Sequence, residues 1–165
     1  MKSDDFVTVT TRVAVDPETA FEIFTSEVDA WWRHGPRFRV GFDRKAVMRF
    51  EPGVGGRLLE VYDAEGEDVF ELGRVRVWEP GARLVFDWRN RNFAPGQVTE
   101  VEVRFEPDAG GTRVTVEHRG WETIPLGHPA RHGLEGSAFS SLIGLFWSDL
   151  LLSARAHAAR RRGDG

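Results

Sequence analysis

Apolar and polar residues alternate along most of the chain, as they do in β-strands that bury only one face. Residues 6–15 alternate in this way and are rich in β-branched side chains, which predicts a first strand. Six more strands are predicted after a helical region, at residues 46–51, 57–62, 69–78, 83–89, 98–107 and 112–120. Because the later strands carry charged residues on their opposite face, we expect an antiparallel sheet with one buried and one solvated side.

Two short helices are expected between the first and second strands. Asp16 suits a helix N-cap, Pro17 suits the first helical position, and an apolar stripe at helical spacing follows over residues 20–28. A second capping signal at residues 25–27 divides the region. The second helix is therefore expected to carry residues 31 and 32 and to end before residue 35.

Two adjacent tryptophans lie in this second helix. Neighbouring helical positions diverge by about 100°, so one narrow core stripe cannot accept both rings. The chain turns at Gly35 and Pro36 directly after the pair, and this turn needs an apolar anchor. We therefore expect Trp32 to be the more buried ring and Trp31 to lie near the mouth of a cavity or at a partner surface.

One long helix is predicted over residues 137–160. Its expected core stripe is Phe139, Leu142, Ile143, Phe146 and Leu150. The order of elements is then one strand, two short helices, six strands and a helix, an α+β arrangement in a single domain over residues 1–165. A curved antiparallel sheet covered by one helix leaves a gap between them, so we expect a pocket there.

Composition narrows the functional classes. The formal net charge of −4 argues against nucleic acid and acidic membranes as partners. The chain has no cysteine, which excludes disulfides, thiolate nucleophiles, zinc–thiolate sites and iron–sulfur clusters. The first residues lack an apolar signal-peptide core, and the longest apolar run, residues 142–152, is short for a membrane span. A cytoplasmic location is therefore expected.

Four segments resemble a known family. They lie in order within residues 6–122 and read VAVDPETAFEIFTSEVDAWW, GVGGRLLEVYDAEGED, ELGRVRVWEPGARLVFDWR and TEVEVRFEPDAGGTRVTVEHRGWE. With the order of elements, they are similar to the helix-grip superfamily of START, birch-pollen-allergen and polyketide-cyclase proteins (SRPBCC), and within it to homologues of the activator of the heat-shock-protein-90 ATPase. The resemblance implies a curved antiparallel sheet wrapped around the C-terminal helix. It fades at residues 123–136, which we interpret as a loop or a short broken helix.

The faces of the predicted strands indicate candidate ligand-binding residues. His118 continues an apolar row, where an imidazole could bond a ligand or move a proton, although a buried structural histidine explains the same pattern. Trp88 and Trp121 are expected to wall the pocket, with plain core packing as the alternative. Glu71 shares a face with valines, and a bulge beside it could instead turn it toward solvent or an ion pair. With Trp31 at the mouth, these residues form the predicted ligand site.

No metal or cofactor is expected. His128 and His132 stand four residues apart, as two ligands on a helix would, but Pro129 and Gly133 interrupt the segment. The serines near residue 140 belong to no nucleophile elbow, and the glycine-rich stretches are turns without phosphate-loop spacing. Because no complete catalytic set is present in the sequence, an enzyme is the less favoured interpretation.

Three functions stay open from the sequence. The leading interpretation is a protein that binds an apolar or aromatic small molecule between the sheet and the C-terminal helix. The second, implied by the family resemblance, is a module that contacts a chaperone or a regulator. The third is a cyclase- or hydrolase-type enzyme that uses His118 as acid or base. The sequence leaves the oligomeric state open, with a homodimer among the alternatives.

Overall fold

The computed structural model describes residues 6–164. Its main elements are β1 Phe6–Val13, α1 Pro17–Thr25, α2 Val28–Trp31, β2 Val47–Phe50, β3 Arg57–Val61, β4 Val69–Glu79, β5 Arg83–Trp88, β6 Thr99–Asp108, β7 Gly111–Arg119 and α3 Gly136–Asp164. Two short 3-10 helices, Trp121–Thr123 and Pro129–Arg131, lie between β7 and α3. The predicted order of elements is confirmed, and the segment at 123–136 is a loop with short helical turns.

The strands form one antiparallel sheet in the order β1-β7-β6-β5-β4-β3-β2. The first strand pairs with the last one, so that Val9 lies opposite Val116, and Val116 in turn lies opposite Val103. This register places inward residues of neighbouring strands side by side and builds one apolar surface, against which α3 packs. A curled sheet around a long C-terminal helix is the helix-grip arrangement, which confirms the predicted fold class.

Strand β4 changes its inward face twice. Its pairing with β3 shifts between Leu58 and Leu59, which leaves Leu72 without an opposite residue, and its pairing with β5 shifts between Val75 and Val77. Each shift is a bulge that turns the following side chains to the other face. Leu72 and Val75 are consequently both buried, although their positions differ by three, which in a regular strand would put them on opposite faces. Simple alternation therefore fails along this strand.

The start of α1 follows the predicted capping chemistry. The Asp16 carboxylate accepts hydrogen bonds from the Thr19 backbone N–H at 3.3 Å and from the Thr19 hydroxyl at 2.6 Å. Pro17 occupies the first turn, as expected. In contrast, α2 is a single turn that ends at Trp31, and Trp32 already has an extended backbone. The divergence expected for two neighbours on one helix therefore does not apply to this pair.

Both adjacent tryptophans are core residues, each 2% exposed. The Trp31 indole N–H donates to the Ile23 carbonyl at 2.9 Å. The Trp32 indole N–H donates to the Phe38 carbonyl at 2.8 Å, and its ring centroid lies 5.9 Å from that of Trp147 in α3. Trp32 is buried but no more so than Trp31, and the prediction that Trp31 lies at a cavity mouth is wrong. The backbone leaves the helix between the two residues, and both rings turn inward.

Helix α3 faces the sheet with a stripe that differs from the predicted one. The buried apolar positions are Phe139, Trp147, Leu150, Leu151, Ala154 and Ala158. The prediction is therefore correct at Phe139 and Leu150. Leu142, Ile143 and Phe146 are only partly buried because they border a cavity, although Ile143 and Phe146 also pack against the core.

Charged groups tie the C-terminal half of α3 to α1 and to Glu27, the N-cap residue of α2. Arg161 donates to the carboxylates of Glu22 at 2.6 Å and Glu27 at 2.7 Å, and His157 contacts Glu27 at 2.7 Å. Residues Gly136–Gly163 also have the length and apolar composition of a membrane span, a property that core helices of globular proteins share. Here the apolar side of this helix packs against the sheet.

We expect Trp31→Ala and Trp32→Ala each to lower the free energy of unfolding by about 3–5 kcal/mol, because each removes a buried indole and leaves a void. Val54→Ala is the control, since that side chain is 71% exposed, and it should change stability by less than about 0.5 kcal/mol. Urea unfolding measures all three variants. A loss near 1 kcal/mol for Trp31→Ala alone would mean that this ring lies at a surface.

Candidate functional site

A cavity of about 700 Å³ lies between the sheet and α3. One side of it, the aromatic floor, is formed by Trp88 of β5, His118 of β7 and Trp121 directly after β7. Leu142 and Phe146 of α3 form an apolar wall. The volume lies in the range of pockets that bind small molecules. Three residues that the sequence predicted for a ligand site therefore lie together on one surface.

The aromatic floor is packed ring against ring. The centroids of Trp88 and His118 lie 5.2 Å apart, and those of His118 and Trp121 lie 4.9 Å apart. Phe93 makes edge-to-face contacts with both tryptophans. Such arrangements are favoured by the charge distribution of aromatic rings. The floor therefore presents a well-packed aromatic surface to any molecule in the cavity.

His118 is held in the floor by hydrogen bonds at both ring nitrogens. The indole N–H of Trp147 donates to Nδ1 of His118 at 3.0 Å. Because an indole nitrogen can only donate, Nδ1 is unprotonated and the neutral ring carries its proton on Nε2. Nε2 donates to the Thr99 hydroxyl at 2.7 Å, which donates to the Trp88 carbonyl at 2.8 Å. One chain of hydrogen bonds thus joins α3, β7, β6 and β5.

The environment of His118 disfavours its protonation. The side chain is 1% exposed, and burial lowers the pKa of His118 to about 3. Protonation at Nδ1 would also set a second N–H against the N–H of Trp147. The ring is therefore neutral at physiological pH and has no free nitrogen for a substrate. This geometry is that of a structural histidine and supplies no support for an acid/base role.

Two polar atoms of the aromatic floor lack a partner. The indole N–H groups of Trp88 and Trp121 are buried without a hydrogen-bond acceptor in residues 6–164. A buried donor without an acceptor costs on the order of 1–3 kcal/mol. Both nitrogens are covered by protein atoms, so an acceptor on a bound molecule would reach them only after a side-chain shift.

The loop between α2 and β2 forms part of the cavity rim and is held by two buried charged residues. Arg39 donates to three backbone carbonyls of the loop region and to the Asp29 carboxylate. Glu60 of β3 accepts from the backbone N–H groups of Val40 at 2.7 Å and Gly41 at 2.9 Å. Bonds to charged groups are stronger than bonds between neutral ones. The rim is therefore fixed to the sheet.

The segment between β7 and α3 forms another wall. Arg131 is buried, donates to two carbonyls of the preceding turn, and places its guanidinium 4.8 Å from the centroid of the Phe139 ring. Pro129 and Ala130 contribute to the cavity lining. The segment between β7 and α3 thus shapes the cavity directly.

His128 has a structural role in this segment. Its Nδ1 accepts a hydrogen bond from the Ala130 backbone N–H at 3.0 Å, and its Nε2 lies 3.0 Å from the Asn92 carbonyl oxygen. These bonds tie the segment to the loop after β5. His132 lies on the cavity rim and does not share these partners. Within residues 6–164, no group of three His, Asp or Glu side chains could hold a metal ion.

Glu71 lies outside the cavity. Its carboxylate pairs with the Arg74 guanidinium at 3.2 Å on the outer face of β4. The bulge in β4 turns Leu72, and not Glu71, toward the cavity, where Leu72 is part of the lining. The expectation that Glu71 belongs to the ligand site is therefore wrong, and the ion-paired alternative is the one observed.

Part of the lining was missed by sequence reasoning. Phe38, Arg37 and Arg91 line the cavity from loops, where no periodic pattern assigns a face. The available signal was position along the chain, since the loop with Arg91 directly follows the strand that ends at Trp88. Residues that follow a strand end lie at the same end of the sheet as the last side chains of that strand.

The sequence pattern of the family described as Activator of Hsp90 ATPase homolog 1-like protein matches residues 14–142. The match includes residues 123–136, so the expectation that the family resemblance fades there is wrong. No curated protein sequence matches this chain.

Several solved structures share the fold at low identity. A protein from Mesorhizobium loti has 18% identity and a TM-score of 0.64, covering 94% of this chain and 97% of its own. An HSP90 activator from Plasmodium falciparum has 19% identity and a TM-score of 0.60, covering 93% and 96%. The Aha1 dimer from Colwellia psychrerythraea has 14% identity and a TM-score of 0.58, covering 91% and 92%. Likeness at such identities shows the fold alone.

We expect the protein to become less stable as the pH decreases, because of His118. The folded ring stays neutral down to a pKa of about 3, whereas a histidine in an unfolded chain takes up a proton near pH 6.5. The unfolded state therefore binds more protons between these values. The contribution of His118 is fully present above about pH 6.5, and below it the free energy of unfolding should drop by about 1.4 kcal/mol per pH unit.

Urea unfolding of the wild type and of His118→Gln isolates this effect, since the other four histidines are common to both proteins. The variant should be less stable near neutral pH, and the difference should shrink by about 2 kcal/mol between about pH 6.5 and pH 5. His118→Phe provides the same comparison of slopes if the amide variant does not fold. If the free energy of unfolding changes with pH equally in the wild type and the variant, the pKa of His118 is not lowered.

Proposed function

This chain belongs to the family of Activator of Hsp90 ATPase homolog 1-like proteins, and we propose that it binds a small molecule with an apolar or aromatic body. The binding site is the cavity of about 700 Å³ between the sheet and α3. The observation that carries the proposal is the aromatic floor, which meets the apolar wall of α3 across an open space. Transfer of an apolar molecule from water into such a space is favourable.

The rigidity of the lining supports binding. The floor is held by the hydrogen-bond chain through His118, and the rim is held by Arg39 and Glu60. A preformed site loses little conformational freedom when a ligand enters, so more of the contact energy appears as affinity. Micromolar binding of a suitable apolar molecule corresponds to about −8 kcal/mol.

Binding without turnover is the form of the proposal that the geometry favours. His118 is the ionisable residue of the aromatic floor, and it is neutral with both nitrogens bonded. Glu71, the other ionisable residue predicted for the site, pairs with Arg74 and does not line the cavity. An acid/base mechanism needs a group that reaches the reacting atom and exchanges a proton near the working pH.

A second candidate is contact with a chaperone ATPase, which the description of the family suggests. The observation that favours it lies on the solvent side of α3, where Leu145 is 60% exposed and Leu152 is 57% exposed. Seven residues make two helical turns, so these side chains share one face that a protein partner could cover.

The test of this second candidate is the ATPase rate of a purified Hsp90 with and without the chain. Stimulation abolished by Leu145→Glu with Leu152→Glu supports this candidate, and an unchanged rate with wild type counts against it.

We expect the uncharged fluorophore N-phenyl-1-naphthylamine to bind the folded protein with a micromolar Kd. Leu142→Trp should weaken this binding at least about tenfold, because the larger side chain fills part of the cavity from the wall of α3. Leu145→Trp is the matched control: it adds the same ring to the same helix, but on the solvent side.

Fluorescence titration gives the affinities, and urea unfolding verifies that both variants are folded. The control should bind like the wild type. Equal affinity in the wild type and in Leu142→Trp would place the bound probe outside this cavity, and an absence of binding to folded wild type would refute the proposed function.

A further inference from the structure

The charged residues that line the cavity are all arginines. Among the described lining residues there are three arginines, Arg37, Arg39 and Arg91, and there is no aspartate or glutamate. Asn90 and Asn92 flank the last of these arginines and add side-chain amides. The whole chain has a formal net charge of −4, so this basic lining runs against the overall composition. The positive charge is therefore a property of this cavity and not of the chain as a whole.

Two of the three arginines already have protein partners. Arg39 is buried, and its guanidinium bonds the Asp29 carboxylate and loop carbonyls, so its charge is used to hold the rim. Arg37 donates to Asp149 of α3 at 2.9 Å and lies over the Phe38 ring. Both groups in that pair are partly exposed, so the pair is weak and an incoming anion could share Arg37.

Arg91 differs from the other two. Its side chain is exposed at the cavity, and it forms no hydrogen bond or ion pair with any residue in 6–164. The neighbouring backbone is ordered by other contacts, because the Arg89 guanidinium donates to the Phe93 carbonyl at 3.0 Å and the Phe93 N–H donates to the Asn90 carbonyl at 3.1 Å. A fixed loop therefore presents a guanidinium whose five donors are free for a ligand.

We infer that the ligand is an amphiphile whose apolar or aromatic body lies on the aromatic floor and whose head is an oxyanion bound by Arg91. Arg37 and the amides of Asn90 and Asn92 complete the head-group site. A guanidinium matches the geometry of a carboxylate, phosphate or sulfonate, and no carboxylate lines the cavity beside Arg91 to repel such a head. This inference rests on the proposed function, since it names the chemical class of the molecule in the same cavity.

The test uses two probes that differ by one charged group. 1-Anilinonaphthalene-8-sulfonate is N-phenyl-1-naphthylamine with an added sulfonate, so the ratio of their Kd values reports the contribution of the anion. In the wild type we expect the sulfonate to bind roughly fivefold to tenfold more tightly, the range for one partly exposed charge-assisted contact. In Arg91→Gln that advantage should fall to about twofold or less, while the affinity of the uncharged probe stays the same.

Arg160→Gln is the control for charge alone, because Arg160 is also exposed but lies near the end of α3, away from the cavity lining. The sulfonate advantage should persist in that variant. Displacement of the uncharged probe by dodecanoate, dodecyl phosphate and dodecanol extends the result to other heads, and the two anions should displace it at lower concentrations than the alcohol in wild type but not in Arg91→Gln.

The outcomes separate this inference from the proposed function. Binding of the uncharged probe with no preference for the sulfonate, or a preference that survives Arg91→Gln, overturns the head-group assignment and leaves the apolar cavity in place. A preference lost equally in Arg160→Gln would mean that the probes sense net charge and would also overturn it. An absence of binding by both probes would refute the proposed function itself.

Discussion

The hydrogen bond between the Trp147 indole and His118 is the contact on which the cavity depends. It joins the helix to the sheet at a buried point, and the chain continues from His118 through the Thr99 hydroxyl to the Trp88 carbonyl. Each donor in this chain has one acceptor, so the network is satisfied only when the histidine is neutral. The distance between helix and strands is thereby fixed at the floor of the cavity.

The walls of the cavity depend on the distance between α3 and the strands. Leu142 and Phe146 lie on the cavity side of α3 and line it, and the Phe146 ring also meets the Trp88 ring of β5 edge to face at 6.2 Å between centroids. The two irregular segments that border the opening are each held by a buried arginine, Arg39 in one and Arg131 in the other. Loops fixed by guanidinium bonds to backbone carbonyls can shape a binding site without regular secondary structure.

Side-chain positions in regular strands could be predicted from the sequence, whereas positions next to bulges, helix ends and loops could not. Alternation in β6 and β7 placed His118 on the inward face correctly, because those strands pair without a bulge. Glu71 was misplaced since the bulge at Leu72 reverses the face of β4. Trp31 was misplaced since α2 ends at Trp31, whereas the pattern indicated a helix that carried both tryptophans. The rim residue Arg91 lies in a loop, and no local pattern specifies which cavity a loop side chain will line.

Binding of a ligand between the sheet and α3 can be tested by following the six indole N–H resonances by NMR while N-phenyl-1-naphthylamine is added. Ligand on the aromatic floor should shift the signals of Trp88 and Trp121, the two cavity indoles without a hydrogen-bond acceptor in residues 6–164. The signal of Trp31, whose N–H bonds the Ile23 carbonyl in the core, should stay in place. Shifts confined to Trp31, or saturable binding with no shift at Trp88 and Trp121, would contradict a ligand site between this sheet and its helix.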